Sequence, residues 1–177
     1  MQSKKKQLLA YSFVAVDPSI VSMGFAAFVP NLIMPYSWGL IKVPTKLKKA
    51  DSLVRSRYQC NELFNRIRKI HDENPDYVYP NIFCEQPQFF NSNKGMASAR
   101  SQSINKLMHL VGMINQKSYE EFKKFHPVGI NDWKGQLSKK GVEFRIRKIL
   151  KNDELVDEFK NDIMDAVGIG LYIKGMF

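Results

Sequence analysis

The spacing of apolar residues changes along the chain, and each change predicts a different kind of element. Three short runs rich in β-branched and aromatic residues predict strands at 9–17, 23–29 and 36–43. Short loops join these strands, which favours an antiparallel meander. Between 50 and 73 the apolar residues recur at helical spacing, which predicts an amphipathic helix that ends in the turn DENPD.

Helical and strand-like segments alternate after this helix. The predicted elements are a strand at 78–85, a helix at 96–122, a short strand at 125–130, a basic loop or short helix that begins NDWKGQ, and helices at 142–151 and 153–174. This order indicates an α/β fold, in which a five-stranded mixed sheet, its first three strands antiparallel, has helices on both faces. Neither a repeat nor a linker is evident, so residues 1–177 are expected to form a single domain.

The charge of the chain narrows the class of partner. Lys and Arg number 27 against 17 Asp and Glu, a formal net charge of +10. Such an excess favours a polyanion, either nucleic acid or an anionic membrane surface. No apolar run is long enough to span a bilayer, so a membrane-spanning protein is not expected.

The N-terminus and the cysteines bear on location. The basic start MQSKKKQLLAYS leads into a strand without a small-residue cleavage site, which indicates mature structure rather than a signal peptide. Cys60 and Cys84 belong to no CxxC pair and are expected to be buried thiols of a reducing compartment. A cytoplasmic location is therefore predicted, which is the host cytoplasm if the source is viral.

Four acidic residues stand in places where a carboxylate is costly. Asp17 and Glu85 end the apolar strands FVAVD and NIFCE, and Asp162 and Asp165 fall in the last predicted helix. Asp162 interrupts an apolar stripe there, formed by Leu155, Phe159, Ala166, Ile169 and Ile173. Because a buried charge needs compensation, acids that converge from separate elements favour a divalent cation.

The spacing within the helix supports the same interpretation. Side chains at i and i+3, such as Asp162 and Asp165, lie about 5–6 Å apart on a helix surface. With two strand ends, they could surround two metal ions about 3.5–4 Å apart, as in two-metal phosphodiester hydrolysis. The alternative is that each acid caps a helix, pairs with a nearby Lys or simply ends a strand.

Three segments that contain these acids resemble the motifs of RuvC-type Holliday junction resolvases. FVAVDPSIVSMGFAAF at 13–28 is similar to the first motif, in which Asp-Pro closes one strand and Gly opens the next. IFCEQPQFF at 82–90 resembles the second motif, and NDIMDAVGIGLYI at 161–173 resembles the last. The motifs occur in the family order over nearly the whole chain. Ser19 stands where the family usually has Gly, and the aromatic after Glu-Gln is displaced by one residue, so the chain is expected to be a divergent relative.

The resemblance implies an RNase H-like core and a metal-dependent endodeoxyribonuclease. It implies that Asp17, Glu85, Asp162 and Asp165 hold two Mg²⁺ ions, or Mn²⁺ in their place. It further implies a homodimer that nicks a four-way junction at two symmetric positions and leaves 5′-phosphate and 3′-OH ends. Cleavage of forks and flaps, ribonuclease H action by a monomer, and a non-catalytic module that only binds branched DNA remain the alternatives.

Basic and aromatic residues supply candidates for DNA contact. Positive charge between 134 and 151 could bring phosphates to an acidic site. By similarity to the family's basic residues, Lys134 and either Lys139 or Lys140 are expected at the scissile or a flanking phosphate, with Lys134 part of the catalytic set. Arg145 is a further candidate, or part of a solvated helix face.

Two other segments have candidate roles in binding and assembly. In the loop after Glu85, Phe89 and Phe90 beside Lys94 could stack on unpaired bases, although one Phe could anchor the loop instead. Trp133 is more typical of a packing residue than of a wedge between bases. Small residues in the helix at 96–122 favour a dimer interface, and packing on the sheet explains them almost as well.

Overall fold

A computed structural model describes residues 11–87 and 103–177 of the chain. Five strands form one sheet in the order β3-β2-β1-β4-β5. The strands are β1 Phe13–Asp17, β2 Ser22–Phe28, β3 Ser37–Lys42, β4 Asn81–Gln86 and β5 Lys124–Gly129. β1, β2 and β3 pair antiparallel, whereas β4 runs parallel to both β1 and β5. The prediction of a mixed sheet with three antiparallel strands first is confirmed.

Helices cover both faces of this sheet. They are α1 Ser52–Glu73, α2 Ser103–Glu120, α3 Ile130–Trp133, α4 Lys139–Leu150, α5 Asp153–Asp157 and α6 Asn161–Ile173, with a 3₁₀ turn at Thr45–Leu47. β1 is buried on both sides, since Phe13 and Ala15 pack in the core with α4 to α6, while Val14 and Val16 pack in the core with α1 and α2. The two cores together fix the position of the central strand.

The prediction of one continuous helix at 153–174 is wrong. Instead of one helix at 153–174, the structure has α5 and α6, and the chain turns between them at 158–160. Phe159 in this turn is buried and packs edge-on against Trp38, with ring centroids 5.4 Å apart. The turn allows Phe159 to pack in the core. The apolar residues from Leu155 to Ile173 therefore belong to two separate helices and do not form one stripe.

Other boundaries shift by a few residues. α4 begins at Lys139 rather than 142, because the hydroxyl of Ser138 accepts a hydrogen bond from the Gly141 N–H at 3.2 Å and caps the helix. Cys60 and Cys84 are buried free thiols, as predicted, and burial raises the pKa of both. Within 11–87 and 103–177, the helices are too short or too polar for any of them to cross a lipid bilayer.

Candidate metal and nucleic-acid site

The parallel pairing of β1 and β4 brings two of the candidate acids together. Val16 stands opposite Cys84 in the register, so the next residues, Asp17 and Glu85, come out side by side at the carboxyl edge of the sheet. Both strands are buried up to this point and pack in the two cores. α3 and Lys134 follow β5 at the same edge.

A close contact between a strand and a helix brings the other two acids to this edge. Gly24 on β2 pairs with Asp17, and the backbone of α6 lies directly against it. A Cβ built on Gly24 would stand 1.9 Å from the carbonyl oxygen of Asp162, so only glycine fits there. Asp162 and Asp165 therefore sit in the first turns of α6, next to the end of β1.

Burial and neighbouring acids raise the pKa of two of the four carboxylates. Asp17 is only 9% exposed. Burial, and then the charges of Glu85, Asp165 and Asp162, raise its pKa well above the ordinary value for an aspartate. Burial also raises the pKa of Glu85, although a hydrogen bond from Trp133 opposes this effect. The four acids thus form one electrostatic cluster, which is unfavourable for the folded chain without a cation.

Three of the four carboxylates accept hydrogen bonds from the protein. The Lys134 ammonium lies 3.3 and 3.4 Å from the two oxygens of Asp165. The indole N–H of Trp133 donates to Glu85 Oε2 at 2.9 Å, and the Ser22 hydroxyl donates to Asp162. Among residues 11–87 and 103–177 no side chain donates a hydrogen bond to Asp17, so its buried charge is the least compensated.

The donor set suits a hard divalent ion. Four carboxylates from two strands and one helix offer the oxygen ligands that Mg²⁺ and Mn²⁺ prefer. In the part of the chain that is described, however, no group of three or more acidic, His or Cys side chains is arranged to hold an ion as it stands. Hydrogen bonds from Lys134, Trp133 and Ser22 engage oxygens of three of the four carboxylates in this arrangement.

A groove of about 350 Å³ adjoins the cluster between α4, α5 and α6. Its lining is of mixed charge, with the bases Lys139, Lys140 and Arg147 and the acids Glu143, Asp157 and Asp165. Neither Lys139 nor Lys140 forms a salt bridge with a described residue. Arg147 lines the same groove, but its charge is balanced by three acids, Glu143, Asp153 and Asp157. Positive charge available to a ligand therefore lies at the start of α4.

Other candidates are placed differently or lie beyond the described residues. Arg145 stacks over the Phe177 ring, 5.1 Å from its centroid. Phe89, Phe90 and Lys94 lie outside the residues that the structure describes. The described part of the small-residue helix, α2, buries Leu110, Val111, Ile114 and Ser118 within the protomer, while a Cβ on Gly112 would meet open space.

Sequence reasoning missed two polar contacts beside the acids. The Ser22 hydroxyl reaches Asp162 from β2, and nothing in the pattern around Ser22 indicates this. Gln59 of α1 is fully buried, and its side-chain amide donates to the Ser19 carbonyl at 2.9 Å, which ties the turn after Asp17 to the helix. A polar residue on the buried face of α1, next to Cys60, is the signal that could have revealed it. Ser19 does not adopt a positive φ, so glycine is not required there.

Solved structures resemble this fold over nearly its full length. A Thermus thermophilus RuvC in complex with a Holliday junction substrate has a TM-score of 0.63 and 15% identity, covering 91% of this chain and 90% of that chain. A second Thermus thermophilus RuvC structure gives 0.61 and 15%, with 90% and 91% covered. A yeast mitochondrial Holliday junction resolvase gives 0.60 and 13%, with 99% and 86% covered. No family model and no curated protein matches the sequence. The likeness shows the fold, and the prediction of an RNase H-like α/β fold of the RuvC type is confirmed.

Proposed function

We propose that this protein is a metal-dependent endodeoxyribonuclease that cuts branched DNA, with the four-way Holliday junction as its substrate. The observation that carries the proposal is the convergence of four carboxylates around buried Asp17, next to a groove whose Lys139 and Lys140 form no salt bridge with a described residue. A cluster that raises the pKa of Asp17 and Glu85 is unfavourable for folding, and a cation is the simplest partner that relieves the repulsion. The similar solved structures, one of them of a RuvC with a Holliday junction, support the choice of substrate.

Each residue of the cluster has a proposed role. Asp17, Glu85, Asp162 and Asp165 are the ligands of two Mg²⁺ ions, which Mn²⁺ can replace. Such ions activate a water for attack on a phosphodiester and stabilise the departing 3′ oxygen, which leaves 5′-phosphate and 3′-OH ends. Lys134 neutralises Asp165 in the free protein, and a DNA phosphate that enters can accept the same ammonium group.

Contacts with the rest of the DNA are proposed for residues around the groove. Lys139 and Lys140, which line the groove, are proposed to neutralise phosphates that flank the scissile bond, and Arg145, which lies over the Phe177 ring, is proposed as a further phosphate contact. Phe89 and Phe90, which follow Glu85 in the sequence, are proposed to stack on unpaired bases at the centre of a junction, with Lys94 at a nearby phosphate. Stacking is tolerant of sequence, so it suits recognition of branched structure.

Symmetric cleavage of a junction requires two active sites. A homodimer is therefore proposed, with the outward side of α2 as the interface. Met108 is exposed there, and Gly112 would allow a partner helix to approach closely. The buried side of α2 is already occupied by the core of the protomer.

The proposal is tested with a labelled, mobile four-way junction and Mg²⁺. We expect paired nicks at symmetric positions that DNA ligase can reseal, and no nicking when EDTA is present. Forks, flaps and an RNA–DNA hybrid are assayed in parallel, with solution mass measured by light scattering. Preferential cleavage of the hybrid by a monomer would indicate ribonuclease H instead, and binding without metal-dependent cleavage would indicate a non-catalytic module.

Replacing Lys139 and Lys140 with glutamine is expected to weaken junction binding and its dependence on salt. Each phosphate that is no longer neutralised lowers the slope of log affinity against log salt by about 0.9, so the double variant should lower it by about 2. Affinity is measured by fluorescence anisotropy from 50 to about 200 mM salt, the range over which such interactions differ most. Lys69→Gln is the control, because Lys69 is exposed on α1, on the opposite face of the sheet. An unchanged slope in the double variant contradicts the assignment of the groove.

A further inference from the structure

Trp133 connects two parts of the acidic cluster. Its side chain is 3% exposed, and its indole N–H donates to Glu85 Oε2 at 2.9 Å. The next residue, Lys134, binds Asp165 and places its ammonium 5.3 Å from the centroid of the Trp133 ring. A residue more typical of packing than of a wedge between bases is therefore in direct contact with a candidate metal ligand.

The packing around the indole fixes its orientation. The ring lies against Gly168 of α6, where a Cβ would stand 2.5 Å from Cζ3 of the indole. On another side lies Phe177, with ring centroids 5.7 Å apart. Gly168 belongs to α6, the helix that carries Asp162 and Asp165. The indole therefore lies between α6 and Glu85.

We propose that Trp133 is a positioning residue that holds the Glu85 carboxylate in the orientation required to bind a divalent ion. The indole N–H occupies Oε2, and no other described side chain donates to Glu85, which leaves Oε1 available as a ligand. Removal of a residue that hydrogen-bonds a metal-binding side chain typically lowers the metal affinity by about 10–100-fold. This inference rests on the proposed function, because it assumes that the cluster binds an ion.

The first test compares Mn²⁺ binding by the full-length wild type and Trp133→Phe, measured by electron paramagnetic resonance of free Mn²⁺. Phenylalanine keeps an aromatic ring against Gly168 but has no N–H. We expect Mn²⁺ affinity to fall by about 10–100-fold. In cleavage assays the Mg²⁺ concentration for half-maximal rate should rise by a similar factor, with the rate at saturating Mg²⁺ much less affected. Tyr79→Phe is the matched control, because Tyr79 is buried in the core with α1 and α2, on the other face of the sheet from α6, and should leave metal affinity unchanged.

A second variant displaces the indole without removing its N–H. Gly168→Ala should push the ring away from its present position and lower Mn²⁺ affinity in the same direction as Trp133→Phe. Asn65→Ala is its control for Mn²⁺ binding, because Asn65 is exposed on α1, which packs on the opposite face of the sheet from α6.

A third measurement leaves Trp133 in place, so that it does not depend on replacing the indole. In Trp38→Phe, Trp133 is the remaining tryptophan of the two in the chain. Its fluorescence should change on titration with Mg²⁺ at the same midpoint as ion binding. Absence of any Mn²⁺ or Mg²⁺ binding by the wild type overturns the proposed function. Normal wild-type binding together with unchanged affinity in Trp133→Phe, or with an unresponsive Trp133, overturns the role of Trp133 alone.

Discussion

Asp17→Asn is expected to lower Mg²⁺-dependent junction cleavage by roughly 10³-fold or more, as removal of a central catalytic group commonly does. The residue is buried at the centre of the cluster, and asparagine cannot supply the negative charge that attracts the ions. Single-turnover cleavage with excess protein measures the loss. Junction binding in EDTA, measured by fluorescence anisotropy, should remain within about threefold of the wild type, because the phosphate contacts are made elsewhere. Equal cleavage by variant and wild type would remove Asp17 from the site.

The same substitution should stabilise the metal-free protein. Burial and three neighbouring acids raise the pKa of Asp17, so the folded state favours its protonated form. Stability that this group contributes is present at low pH and is lost as the pH rises through the raised pKa. An asparagine side chain cannot ionise, so the variant should exceed the wild type in Tm at about pH 8 and differ less at about pH 5. Asp76→Asn, at an exposed position in a turn, is the control. A lower Tm for Asp17→Asn at the higher pH would contradict the electrostatic account.

The second large effect is expected for Gly24→Ala. The new methyl group would overlap the Asp162 carbonyl, which is backbone and cannot rotate away, so the start of α6 must move. Overpacking of this kind costs about 1–3 kcal/mol of unfolding free energy. Displacement of catalytic groups by about 1 Å can lower the rate by roughly 10²-fold, so cleavage should fall by at least that factor. Urea unfolding and single-turnover cleavage measure the two effects separately.

Asn65→Ala is the control for the unfolding measurement. Asn65 is exposed in α1, and alanine in a helix is favoured over asparagine by up to about 0.7 kcal/mol. The control should therefore be slightly more stable than the wild type. If Gly24→Ala is as stable as this control and cleaves at the wild-type rate, the close approach of β2 and α6 does not position the site.

The sequence was sufficient to predict much of the fold and the membership of the acidic cluster. Asp17 and Glu85 stood out because each ends an apolar strand, and parallel pairing of β1 with β4 places such residues side by side. Asp162 and Asp165 stood out through helical spacing, even though the helix was drawn too long. These features depend on local periodicity, which a single sequence displays directly.

Features that depend on tertiary contacts could not be predicted in the same way. The break between α5 and α6 follows from the packing of Phe159 on Trp38, which is far away in the sequence. The hydrogen bonds from Trp133 to Glu85 and from Ser22 to Asp162 likewise join distant segments. No periodicity encodes these pairings, so the donors that surround the carboxylates were missed.

The hydrogen bond from Gln59 to Ser19 has a consequence for how the site is assembled. Through it the turn that follows Asp17 is anchored to α1 on one side of the sheet, while Asp162 and Asp165 come from α6 on the other side. Partial unfolding of the helices on either face of the sheet therefore separates Asp17 from Asp162 and Asp165. Under the proposed function, only a chain whose two layers are both closed can cut DNA, which protects nucleic acid from incompletely folded copies of the protein.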